Sequence, residues 1–224
     1  MGIDGKDDIQ AARLWSDILG SNKAEKILDA VMENVAQDLT KLVGQPFEFS
    51  GLDIKTISVD SLEDLTDDSD TEAVGIYLLL TDEELSGEAM LVLAPDEAMS
   101  VVDWLLEESL GTTTQLGDLE TSALAELGNQ TLSSFLNTIA DLTHTPLRPS
   151  PPTVVVDTIA IISKAVALSA ATVTNEFMLI KTDFINFEKS LKIQFWIVPD
   201  FITTSVPVSV TTSEWKWNAL EEGL

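Results

Sequence analysis

The chain has 224 residues, 45% of them hydrophobic, enough to bury a sizeable core in one large domain or two small fused ones. Its 38 acidic residues face 12 basic ones, and the resulting formal charge of −26 argues against nucleic acid or anionic lipid as a partner. The absence of cysteine excludes disulfides, thiol catalysis and cysteine-based metal sites. With no long apolar run and no basic, then apolar, N-terminus, a cytoplasmic protein without membrane insertion is expected.

In chain order, residues 1–23 read as an accessory segment with a helix over Asp7–Ile18 and a turn at Gly20-Ser21-Asn22. An amphipathic helix is predicted from Ala24 to Val43, stopped by Gly44-Gln45-Pro46. Extended segments follow at Phe47–Val59, Ala73–Thr81 and Glu88–Ala94, with an acidic loop at 60–72. Pro95 opens a helix running to about Glu108, as proline is tolerated in a first turn. Beyond the Gly111-Thr-Thr-Thr linker, a second long helix spans Asp118–Leu142 and ends before Pro146 and the Pro149-Ser-Pro-Pro152 stretch. A short helix over Asp157–Leu168 and strands at Val173–Ile185 and Leu191–Val198 complete the pattern, and 203–224 form a tail containing Trp215 and Trp217.

The two long helices can be superposed in sequence. ALAELGNQTL (123–132) matches AVMENVAQDL (30–39) at an offset of 93 residues, with Glu on Glu, Gln on Gln and Leu on Leu. The closing strands share an ending, MLVLAPDE and QFWIVPDF. An α/β fold of α+β type is therefore expected. It would be a pseudo-twofold duplicated domain, with halves at 24–110 and 111–202, each a long helix on antiparallel-rich strands.

At about 100° per residue, Ser122, Glu126, Asn129 and Ser133 share one narrow face of the second long helix. Leu124, Leu127, Leu132, Phe135, Ile139 and Leu142 lie on the other side, enough to dock the helix on a sheet. Periodicity alone makes the polar face an ordinary solvated one.

Ser122-x3-Glu126-x2-Asn129, followed after 22 residues by Pro152, resembles the signature of the CheC/CheX/FliY phosphatases. The flanking text, LAELGNQTLSSFLNTIADLTHTPLRPSPPTVVVD, is similar to CheC sequences, and the resemblance runs from about Ala24 to Phe201. It implies a CheC-like fold and hydrolysis of the aspartyl-phosphate on a phosphorylated CheY-like response regulator. It further implies that Glu126 pairs with a lysine of that regulator, that Asn129 orients a water for in-line attack, and that Ser122 and Pro152 shape the surface. No cofactor of its own is implied, Mg2+ being expected in the partner, and CheD is a further candidate partner.

On the first long helix the corresponding residues are Asp29, Glu33 and Ala36, with Val59 at the proline position. An alanine cannot orient water, so a single site is expected, on the second helix. The competing expectation is a non-catalytic chemotaxis adaptor that binds the regulator, CheD or the flagellar switch. His144, the sole histidine, lacks an evident partner, and Asp67-Asp68-Ser69-Asp70 lacks the glycine and closing glutamate of a calcium loop. No metal site is expected, and without a Gly-rich phosphate loop nucleotide use is not expected either.

Overall fold

The computed structural model describes residues 24–58, 70–81, 86–143, 149–170 and 176–199. The expected N-terminal helix, most of the acidic loop, Val59, His144 and the tail lie outside the described residues. Helix α1 spans Ala24–Val43 and is followed by strands β1 (Glu48–Phe49) and β2 (Asp53–Ser58), then β3 (Glu72–Thr81), β4 (Ser86–Leu93) and helix α2 (Pro95–Leu105). Helix α3 (Asp118–Thr143), strand β5 (Thr153–Thr158), helix α4 (Ile159–Ala170), and strands β6 (Glu176–Asn186) and β7 (Leu191–Pro199) follow. Among the described residues, no helix is long and apolar enough to cross a membrane.

All seven strands join one antiparallel sheet in the order β1-β6-β7-β4-β3-β5, with β2 also on β6. The hairpins β3–β4 and β6–β7 meet along β4–β7 at the centre. Each hairpin is flanked by the strand that precedes the other hairpin in the chain: β5 lies on β3, and β2 on β6.

Alternation along β3 shows how the layers form. Val74, Ile76, Leu78 and Leu80 are buried and join Leu91, Ile180, Ile193 and Phe195 beneath α1, α2 and α3. On the opposite face Ala73 is buried, and α4 packs Ile162 and Val166 against Met90, Val92 and Trp196. That cover does not reach Leu79, which is 38% exposed. Because β3 is an interior strand covered on both sides over most of its length, its sequence is nearly all apolar.

Local chemistry sets the boundaries. Gly44 ends α1 with φ +71°, its N–H bonding to the Thr40 carbonyl at 2.9 Å. The first extended segment is two strands, because Gly51 at φ +95° breaks it. Helix α2 stops at Leu105, short of Glu108, where Glu107 turns left-handed at φ 57° and Glu108 N–H reaches the Asp103 carbonyl at 2.8 Å. Residues 153–158 pair with β3, so α4 begins at Ile159 and not at Asp157.

The approach to α3 is tied down by one buried carboxylate. Asp103 accepts N–H bonds from Gly111 (2.6 Å), Thr112 (3.2 Å) and Thr113 (2.8 Å). Burial pushes its carboxyl up, but the Thr113 side chain and these backbone bonds together outweigh burial and hold it below the usual range.

Candidate functional site on the second long helix

Helix α3 starts with Glu120 Oε2 accepting the Gly117 N–H at 3.0 Å, which caps the first turn. Leu124, Leu127, Leu132, Phe135 and Ile139 are buried as expected, and Leu136 joins them. The side chain of Leu142 lies outside the described residues. Between the motif residues, Gly128 is buried, and a Cβ there would collide with Ile76 Cγ2 on β3. The helix backbone therefore rests directly on the central sheet at the residue preceding Asn129.

The opposite face carries the motif. Ser122 and Glu126 are exposed, while Asn129 and Ser133 are half-buried. Ser122 Oγ turns back to donate to the Asp118 carbonyl at 2.7 Å. Glu126 Oε1 accepts from Gln130 Nε2 at 2.5 Å. Pro152 is half-buried at the entrance to edge strand β5, where a missing N–H costs no ladder bond. Its approach is fixed by Ser150, whose N–H donates to the Leu79 carbonyl (3.0 Å) and whose Oγ accepts from Leu79 N–H (2.9 Å).

Helix α1 lies beside α3. Ser134 Oγ donates to Asp38 Oδ2 at 2.7 Å, and Lys41 Nζ lies 2.8 Å from Asp38 Oδ1. The Lys41 bond, and after it the Ser134 bond, holds the Asp38 carboxyl below its usual range. A groove of roughly 570 Å³ between the helices is lined by Asp38, Lys41, Leu42, Gln130, Ser133 and Asn137. Sequence spacing already placed Gln130 one turn after Glu126, but only the fold brings Asp38 to Ser134.

On α1, Glu33 is exposed and Asp29 half-buried. Ala36 is 5% exposed and part of the core. Its position is thus covered, whereas the corresponding Asn129 is partly open. Among the described residues, no three His, Asp or Glu side chains converge as metal ligands would.

The CheC-like family profile matches residues 119–156, a stretch that contains Ser122, Glu126, Asn129 and Pro152. The CheY-P phosphatase CheC of Bacillus subtilis (strain 168) is 25% identical over 171 residues, which is 75% of this chain and 79% of that protein. The chain is therefore similar to CheC-like proteins, most clearly along α3 and into β5. The CheC-like likeness extends to fold. FliY of Thermotoga maritima, 16% identical, covers 88% of this chain and 91% of its own at a TM-score of 0.57. The CheX–CheY–BeF3–Mg2+ complex of Borrelia burgdorferi matches 77% of this chain and 96% of its own at 13% identity, with a TM-score of 0.50.

Proposed function

We propose that this chain is a phosphatase for the aspartyl-phosphate of a CheY-like chemotaxis response regulator, acting in the cytoplasm through one site on α3. The reading is carried by the placement of Glu126 and Asn129 on the open face of a helix anchored to the sheet, inside the CheC-like stretch. The relative named as a CheY-P phosphatase supports the substrate class. A structural neighbour bound to CheY supports the partner.

In this mechanism Glu126 accepts a hydrogen bond from a lysine of the regulator and fixes the docking angle. Asn129 enters the regulator's site, where its carbonyl accepts from a water and its amide N–H2 donates, holding that water in line with phosphorus. Charge neutralisation at the phosphoryl oxygens belongs to the partner's Mg2+ and lysine, so this chain needs only to position. Ser122 and Pro152 border the contact. The duplicated architecture, with halves at 24–110 and 111–202, accounts for the symmetrical strand order. The covered Ala36 leaves the first helix without hydrolytic function.

The test follows phosphate release from a CheY-type regulator under excess small-molecule phosphodonor. Wild-type protein is expected to accelerate release and Asn129→Ala to lose about a hundredfold of that acceleration, equivalent to about 2.7 kcal/mol. Glu126→Ala is expected to lose it through weaker docking. Regulator binding without any acceleration would instead place the chain among adaptors.

A further inference from the structure

We infer that Gln130 is a positioning residue for Glu126, setting the docking carboxylate before the regulator arrives; the inference rests on the function proposed above. Gln130 Nε2 donates to Glu126 Oε1 at 2.5 Å across one helical turn, and both residues are exposed. A surface pair at this spacing contributes little to folding. Its consequence lies in where it holds the carboxylate.

A glutamate on a helix surface samples several rotamers, and a partner that uses it must freeze them. The bond from Gln130 occupies only one carboxylate oxygen. Oε2, and the remaining lone pair of Oε1, stay open to an incoming cation. The amide is neutral, so it restricts Glu126 without cancelling its charge, as a lysine at 130 would. Gln130 also lines the groove shared with Lys41 and Leu42 of α1, so its side chain stands where the two long helices meet the motif. At the equivalent spacing on α1, Glu33 and Gln37 are both exposed, and among the described residues no bond joins them.

The experiment is a double-mutant cycle on the full chain, using a CheY-type regulator carrying beryllium fluoride at its phosphorylation site as the binding probe. Gln130→Ala is expected to weaken binding about three- to tenfold, the factor set by freezing one rotamer-rich side chain. In turnover the same loss should appear in the half-saturating regulator concentration, with the maximal rate kept within about twofold. The double variant Glu126→Ala/Gln130→Ala should bind no more weakly than Glu126→Ala alone. Wild-type binding by Gln130→Ala, additive losses in the double variant, or a loss confined to the maximal rate would each overturn the inference. Additive losses together with abolished turnover in Asn129→Ala would remove this inference and keep the phosphatase. Coupled losses in a protein that never speeds phosphate release would keep Gln130 as a positioning residue for docking and remove the phosphatase.

Discussion

At an offset of 93 residues, Val31, Val35, Leu39 and Val43 of α1 take the places of Leu124, Gly128, Leu132 and Leu136 of α3, and all of them are buried. The two helices therefore dock through the same rows of side chains. They differ at adjacent positions. α1 meets the core with the Val35 side chain and covers Ala36, whereas α3 rests on Ile76 through Gly128 and leaves Asn129 partly open. A shared packing pattern thus carries two different surfaces, and how closely the backbone approaches the sheet sets which residue faces outward.

Substitutions at Gly128 and Val35 test that contrast most strongly after Asn129 itself. Gly128→Ala gains up to about 1 kcal/mol in helix propensity but overpacks Ile76 at a cost of about 1–3 kcal/mol. It should lower turnover about tenfold in protein that remains folded, because a small displacement of Asn129 misaligns the water. Val35→Ala at the matching place should cost about 2–3 kcal/mol in urea unfolding while the folded fraction keeps its full turnover. Equal turnover defects in the two variants would break the comparison.

Ala36→Asn asks whether the first helix lacks only an amide. The new side chain must leave water for a position that is 5% exposed, so a loss of about 1–3 kcal/mol in stability is expected, with no gain in phosphate release. A rise in turnover would show that the covered position can open.

The smallest effect concerns the tie between the helices. Ser134→Ala should cost about 0.5–1 kcal/mol at pH 7, since it removes one bond to a half-exposed carboxylate. The folded-state pKa of Asp38 is lowered, by Lys41 first and Ser134 second. Its stabilising contribution is therefore complete above the unfolded carboxyl value of about 3.9 and is lost as the pH falls through the lower folded value. Urea midpoints of wild type and Ser134→Ala should accordingly draw together as the pH falls through the folded-state value of Asp38.

Much of this organisation is readable from local signals. The glycine-proline stop places the end of α1 at Val43, the 3.6-residue period marks the buried side of α3, and the motif spacing selects its open face. The errors arise where distant contacts decide. Thr153–Thr158 becomes a strand because β3 offers a paired edge, which pushes the start of α4 back to Ile159. The pairing of β2 with β6 and of β5 with β3 leaves no signal in either strand's own sequence. The 93-residue offset matches Ala36 with Asn129 but cannot tell that one is covered and the other is not. The Glu126–Gln130 bond needed only the i, i+4 spacing, and the signal for it was present in the chain.

Orientation of the attacking water by Asn129 is tested by the lifetime of a phosphorylated CheY-type regulator after the phosphodonor is removed, with wild-type protein and with Asn129→Ala at concentrations that saturate binding. Wild type should shorten that lifetime about a hundredfold and Asn129→Ala should scarcely alter it, although both bind. A lifetime unchanged by wild type, or shortened equally by the variant, would contradict that role for Asn129.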